Sequence, residues 1–539
     1  MRRQVEHRVP GVAPRRSTWE PSTITFIALA AVLNTALYHA PLLSFATRNL
    51  DLSTFTGLLT LVTLPLVVFL ETAILFPLLA LVSHRILKPL CVLFALGNAV
   101  AFYFLDTYQA MLDVTMMGNV LNTNVAEASE FLHPRLVGYF LALGVMPAWM
   151  LTRVHIRPSP RLRLVVMAFA GFAVMLAWAW LSASTWLWID KNSKRLGGMV
   201  LPWSYVVNAA RYQVPKIWTA DTEVLLPAAT FASLEKTVVI LVIGEAARAQ
   251  NFALYGYDRP TNPLLSQAGV VSLRNATACA TYTTAAVRCI LSNVDAESAF
   301  SRRYEPLPTY LQRHGVDVIW RSRNFGEPRI KVQSYQKADE LAASCDGDRC
   351  NYDEVLLSGL EQRIRDSASQ RVFVVLHQTG SHGPAYYTRY PAEFEQFKPV
   401  CKSVELSKCS SQALLNAYDN TILYQDHFLN ETIGLLKTLQ HTSVLLIYLS
   451  DHGESLGEFG LYLHGVPYSV APDVQKDVPF ILWMSEEFIR QKAVDARRLE
   501  SQSLHSQRDV FHSVMGAFSM RSDAYEAGFD IFNEAFASQ

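Results

Sequence analysis

The sequence predicts an α-helical membrane domain of five transmembrane helices, followed by an α/β/α domain outside the membrane. Three observations carry this. Residues 1–184 hold long apolar runs broken by short charged connectors. Residues 231–539 hold short apolar runs that end at glycine and polar residues. Six of the seven cysteines lie in that second part, as three close pairs.

Composition sets the frame. The chain has 539 residues, 50% hydrophobic and 17% charged, against about 25% charged in soluble domains. A mean hydropathy of +0.15 agrees. The formal net charge of +0 argues against nucleic acid as a partner.

Five stretches, at 23–43, 56–82, 89–106, 136–152 and 162–184, approach the roughly 20 apolar residues that cross a bilayer. The fourth, LVGYFLALGVMPAWMLT, is short. The second carries Glu71, which must face protein or water rather than lipid. Arg2, Arg3, Arg8, Arg15 and Arg16 precede the first span. His84, Arg85 and Lys88 follow the second, and Arg153, His155, Arg157, Arg161 and Arg163 follow the fourth. The alternate connectors are poorer in basic residues, so the N-terminus is expected in the cytoplasm and the C-terminal domain outside. No small-residue cleavage site follows a short apolar core, so the first two spans do not read as a cleavable signal. Residues 185–230, with Trp186, Trp188, Trp203 and Trp218 among lysines and arginines, read as an amphipathic interfacial linker.

Cys91 sits in a span as a small apolar residue. The pairs Cys279/Cys289, Cys345/Cys350 and Cys401/Cys409 are most economically local disulfides, which need an oxidising compartment. Charge pattern and cysteines thus put residues 231–539 on the same, periplasmic or extracellular, side.

Within that domain TVVILVIGE (237–245), VFVVLHQTGSHG (372–383), SVLLIYLSDHGE (443–454) and the shorter VDVIW (316–320) are apolar without alternation. That pattern fits parallel strands buried on both faces. Ligands bind beyond the carboxyl ends of such strands. Glu245, His377, His382, Asp451 and His452 fall there, with His464 a little further on. Alone, each has a bland use: a helix cap, a turn, a satisfied surface histidine. Together they form an N/O ligand set suited to zinc. A metal lowers the pKa of a coordinated hydroxyl and neutralises phosphate oxygens, help that a threonine nucleophile requires. CATYTTAAVRC (279–289) offers Thr281, Thr283 and Thr284 in a loop that a disulfide would pin.

IGEAARAQNFALYGYDRPTNP (243–263), HQTGSHGPAYYTRYP (377–391) and SDHGESLGEFGLYLHGVPY (450–468) resemble the lipid A phosphoethanolamine transferases, which include the mobile colistin-resistance enzymes and belong to the alkaline phosphatase/sulfatase superfamily. The resemblance implies an alkaline phosphatase/sulfatase-like periplasmic domain behind five inner-membrane helices. It makes Thr283 the nucleophile and Glu245, Thr283, Asp451 and His452 the zinc ligands, with His382 and His464 near the transferred phosphate or a second metal. NVLNTNVAEA (119–128) resembles the donor-binding segment, implying Asn119, Thr123 and Glu127. WRSRNFGEPRIKV (320–332) departs from the family by lacking a cysteine-flanked lysine; Lys331, or else Arg329, stands in as the phosphate clamp. Its GEP version resembles branches that modify the lipopolysaccharide core, so the acceptor is lipid A or that core.

The implied reaction moves phosphoethanolamine from phosphatidylethanolamine to the acceptor through a phosphothreonine, weakening binding of cationic polymyxins. A phosphoglycerol transferase or a phosphodiesterase would share the scaffold. A sulfatase would need a Cys/Ser-x-Pro-x-Arg site that is missing, and a non-catalytic scaffold would not need the intact polar set.

Overall fold

The computed structural model describes residues 20–123, 125–218, 223–295, 303–501 and 504–536. The arginines before residue 19 lie outside them. The chain forms two compact units, one of residues 1–103 and 134–202, the other of residues 104–133 and 203–539.

In the first unit, helices α1 (Thr23–Tyr38) and α2 (Ala40–Asn49) meet at a 57° bend. The single span expected at 23–43 is therefore a broken one. Pro41, without an N–H, fits the first turn of α2 but cannot continue α1. Helices α3 (Phe55–Val82), α4 (Leu87–Tyr108), α5 (Pro134–Arg153) and α6 (Arg161–Leu181) are each long and apolar enough to cross a membrane. With the bent pair as one span, five crossings result.

The short fourth run becomes a full span because a π-helical stretch, Phe140–Val145, carries it into Pro147. Pro147 cannot donate to Leu143, and the Tyr38 hydroxyl donates to that carbonyl instead, at 2.7 Å. Other polar ties between helices are Trp178 to Thr63 (3.1 Å) and Asn98 to Asn34 (3.0 Å). Lys88 donates to the carbonyls of Thr152 and Val154, and Thr23 N to Arg157 O. The starts of α1 and α4 and the end of α5 thus lie together, which gathers the basic connectors on one side of the spans.

The second unit contains the segment that joins α4 to α5, the helix α7 (Trp203–Trp218), and the α/β/α domain. Its sheet uses strands β1 (Thr237–Gly244), β2 (Val271–Leu273), β3 (Asp317–Ser322), β4 (Ser334–Lys337), β5 (Arg371–His377), β6 (Ser443–Ser450) and β9 (Phe480–Met484). The short hairpin strands β7 (Ser455–Leu456) and β8 (Tyr462–Leu463) stand outside it. The sheet order is β2-β9-β6-β1-β5-β3-β4, parallel except for β9, which runs antiparallel to both neighbours.

The expected apolar strands are these central ones, and β1 is buried throughout. Val239, Leu241 and Ile243 enter one core; Val238, Ile240 and Val242 enter the other. Helix α9 (Leu307–Arg313) and helix α11 (Asp509–Ala517) contribute to the first, and helix α10 (Ser411–Lys437) to the second. Full burial of a valine, leucine or isoleucine contributes about 1.5–3 kcal/mol, so the two-sided sheet is a rigid base for whatever its strand ends carry. The three local disulfides, Cys279–Cys289, Cys345–Cys350 and Cys401–Cys409, are all formed, and Cys91 is free and buried.

Candidate active site

Register alone places the polar residues. Gly244 of β1 lies opposite Ser450 of β6, and Ile243 opposite His377 of β5. One step further along, Glu245 and Asp451 leave adjacent parallel strands at the same edge of the sheet. Both are fully buried. Asp451 Oδ1 accepts from the amides of Ala246 (3.1 Å) and His452 (2.7 Å), which turns Oδ2 inward. His452 Nδ1 lies 2.9 Å from the carbonyl of Gly453; donation there leaves Nε2 to face the site. That nitrogen stands 3.3 Å from both Glu245 Oε1 and Asp451 Oδ2.

Thr283 opens helix α8 (Thr283–Ile290), inside the Cys279–Cys289 bridge. Its hydroxyl donates to Glu245 Oε2 at 3.0 Å and lies 3.4 Å from His452 Nε2. The neighbouring threonines are occupied otherwise. Thr281 donates to the carbonyl of Val466 at 2.7 Å, and Thr284 packs under Gly326. Of the three hydroxyls, only that of Thr283 meets the carboxylates.

Two carboxylates with a buried oxygen each, Glu245 Oε1 and Asp451 Oδ2, accept no hydrogen bond. Such a pair requires a cation. Burial opposes charge on His452, yet Asp451 and Glu245 outweigh it and push this imidazole up to about 10. Burial would raise Glu245 too, but His452, with His382 and His464, holds it well below the usual carboxylate range. Asp451 is raised by burial and then by the charge of Glu245. The donor set therefore fits a divalent metal in place of the imidazolium proton. Donor atoms of Glu245, His452 and His464 all lie within 4.8 Å of one another.

The His464 ring lies 4.3 Å from that of His452 and 5.4 Å from that of His382. His464 Nδ1 is 3.3 Å from Glu454 Oε2, and Glu454 is fully buried. Asn119, on the helix Val114–Asn122, approaches from the segment joined to α4. Gly465 permits this: its φ is +86°, and an added Cβ would stand 3.0 Å from Asn119 Nδ2. Thr123 turns its hydroxyl back to the Asn119 carbonyl at 2.9 Å, closing the helix end. The side chain of Glu127 lies outside those described.

Lys331 is placed elsewhere. Its amide donates to Thr309, and its ammonium pairs with Glu223, leaving the side chain 64% exposed. Lys337, the last residue of β4, donates instead to Asn324 O (3.3 Å) and Glu327 Oε1 (2.9 Å). Asn324 in turn donates to Glu245 Oε2 at 2.8 Å and to Gln378 O at 2.8 Å. Gln507 joins the loop to the strand end, accepting from Cys279 N (2.9 Å) and donating to the carbonyls of Ser450 (2.9 Å) and Asp451 (2.5 Å). Sequence reasoning passed over Asn324, Lys337, Glu454 and Gln507. Asn324 and Lys337 follow or end parallel strands, the same signal that marked Glu245; Gln507 carries no local signal.

Fold and site together define an enzyme of the sulfatase type built into a membrane. The family model described as Sulfatase matches residues 237–520, and that described as Phosphoethanolamine transferase EptA/EptB matches residues 69–217. The chain is 39% identical to the phosphoethanolamine transferase EptA of Helicobacter pylori, over 89% of this chain and 90% of that one. It is 33% identical to the phosphatidylethanolamine transferase Mcr-1 of Escherichia coli, over 75% and 80%. The integral membrane lipooligosaccharide phosphoethanolamine transferase A of Neisseria meningitidis superposes with a TM-score of 0.88 at 27% identity, covering 95% of this chain and 98% of that one. The chain belongs to the phosphoethanolamine transferase family.

Two substitutions test the geometry. Gly465→Ala forces Asn119 away, so turnover should fall several-fold while bound metal, measured by atomic emission, stays constant. Cys279→Ser with Cys289→Ser frees a loop whose closure contributes about 3 kcal/mol in the chain-entropy treatment. Turnover should fall tenfold or more with the far-ultraviolet circular dichroism unchanged.

Proposed function

We propose that this protein moves phosphoethanolamine from phosphatidylethanolamine to lipid A, or to the lipopolysaccharide core, through a phosphothreonine at Thr283. The observation that carries this reading is the buried hydroxyl of Thr283, 3.0 Å from Glu245 and 3.4 Å from His452. The names of the relatives supply the group transferred and the lipid classes involved.

Glu245, Thr283, Asp451 and His452 would hold zinc, with His464 within reach of a second ion. Bound there, zinc would polarise the threonine hydroxyl and neutralise phosphate charge. In the first half-reaction Thr283 Oγ1 attacks phosphorus while its proton passes towards Glu245 Oε2. The P–O bond to diacylglycerol breaks, and His382 or His464 gives the leaving alkoxide its proton. In the second, an acceptor phosphate oxygen forms its bond to phosphorus as the Oγ1–P bond breaks, and Thr283 recovers its proton. Most of the acceleration rests on positioning and charge complementarity. The first-turn amides of α8, without intrahelical partners, add a positive dipole end beside Thr283.

On the donor side we keep Asn119, Thr123 and Glu127, a reading supported at Asn119, which borders Gly465 next to His464. For the phosphate clamp, Lys337 is better placed than Lys331, because it reaches the Asn324 that holds Glu245. The basic connectors gathered at one side of the spans support a cytoplasmic N-terminus in a bacterial inner membrane, with the catalytic domain in the periplasm. Amines capping lipid A phosphates would weaken polymyxin binding.

Incubation of the detergent-purified protein with phosphatidylethanolamine should leave a phosphoethanolamine adduct on the 279–289 peptide, absent in Thr283→Ala. Diacylglycerol release without any adduct would favour a phosphodiesterase. Adduct formation from phosphatidylglycerol alone would favour a phosphoglycerol transferase. Lys337→Ala should lower turnover at least tenfold and Lys331→Ala by less than twofold, measured by lipid mass spectrometry. A strong chelator should abolish turnover, and zinc should restore it.

A further inference from the structure

The hairpin that rises between Glu454 and His464 carries an unexplained aromatic. Strands β7 and β8 pair Leu456 with Tyr462 and Ser455 with Leu463, and Gly457 N closes the turn on Leu461 O at 2.8 Å. The tip is held firmly. Glu458 accepts from Arg248 (2.6 Å) and from the amide of Leu456 (2.7 Å). Leu461 is buried with Met111, Val466 and Ala471.

Phe459, between these two anchored residues, is 87% exposed. Its backbone is left-handed, with φ 54° and ψ 22°, a conformation unfavourable for any residue but glycine. Nothing within the described residues compensates for presenting an aromatic in this way.

The chain says what lies opposite. Gly460, next to Phe459, packs against the side chain of Gln109; an added Cβ there would be 3.2 Å from Gln109 Nε2. Gln109 directly follows Tyr108, the last residue of a membrane-spanning helix. Met111, two residues on, shares the small core with Leu461. The segment 109–133 runs from the end of α4 to the start of α5, both of them spans, so both its ends are fixed at the membrane surface. It exposes Val120 (53%), Val125 (86%) and Leu132 (69%). These exposed apolar residues lie on the segment that links two span ends, where lipid is the apolar medium at hand.

We propose that Phe459 inserts into the bilayer leaflet on the catalytic side, making the β7–β8 hairpin an interfacial anchor that brings the active site to its lipids. The hairpin is suited to this because its base is catalytic ground: Glu454 precedes β7, His464 follows β8, and the two meet at 3.3 Å. This rests on the reading that the substrates are membrane lipids, but the first test below does not depend on turnover.

The full chain is reconstituted in phosphatidylethanolamine nanodiscs with Phe459→p-benzoyl-phenylalanine. Irradiation should give a lipid adduct at position 459. The same replacement at Leu234, equally exposed but before the amino end of β1, should give none. Cross-linking of position 459 to protein alone would overturn the proposal and make the hairpin a lid. Phe459→Ser should raise the apparent KM for bilayer donor at least five-fold with kcat unchanged, and leave activity on a monomeric short-chain donor at the wild-type level. Phe459→Leu should restore bilayer activity. Equal losses of Phe459→Ser on both donors would show a folding or catalytic role and overturn it. A lipid adduct at position 459 of the benzoyl-phenylalanine chain, with a wild-type chain that does not act on phosphatidylethanolamine, would sink the proposed reaction and spare the anchor.

Discussion

The site depends on the forced proximity of two buried carboxylates, Glu245 and Asp451. Adjacent parallel strands deliver them to the same edge of the sheet, and the register of β1 on β6 leaves no slack to separate them. Like charges at this separation in a dry setting are strongly unfavourable unless a cation lies between them. The two carboxylates in turn push the His452 imidazole up to about 10, against its burial. Everything around the pair serves the same constraint. Gly453 fixes the His452 ring, Asn324 steadies Glu245, and Gln507 fastens the Cys279 loop to the carbonyls of Ser450 and Asp451. The cluster costs folding energy, and the two-sided hydrophobic sheet beneath it supplies the stability that tolerates it.

The proposed nucleophile gains from this arrangement without being strained itself. Thr283 sits at the start of a short helix whose far end is tied back by Cys289, so its hydroxyl is oriented before any substrate arrives. The histidines extend the polar field outward in a row from His452 through His464 to His382. Glu454 stands behind His464, and Lys337 approaches from the opposite side through Asn324.

Much of this was legible in the sequence. The unbroken apolar character of residues 238–243 and 444–449 marked parallel strands, and the residues just after them marked the site. The spacing of the cysteines marked the local bridges. Three things were not legible, for physical reasons. The bend at His39 depends on which turn can accept Pro41, and a sliding count of apolar residues does not register that. The segment 104–133 belongs with the catalytic unit through tertiary contacts such as Tyr108 to Val404 (3.1 Å), which local pattern does not encode. Lys337 comes to the Asn324 carbonyl because β4 lies beside β3, with Ser322 opposite Lys337, a pairing that the local pattern of residues 320–332 does not encode.

The central claim is that Glu245, Thr283, Asp451 and His452 form a single metal site built from oxygen and one nitrogen. X-ray absorption at the zinc edge, on the full chain purified without added metal, tests it most directly. The account predicts about one tightly bound zinc in an oxygen-rich first shell with one imidazole and no sulfur, and loss of one oxygen ligand in Thr283→Ala. A sulfur-containing shell, or a spectrum untouched by Thr283→Ala and by Asp451→Asn, would contradict it.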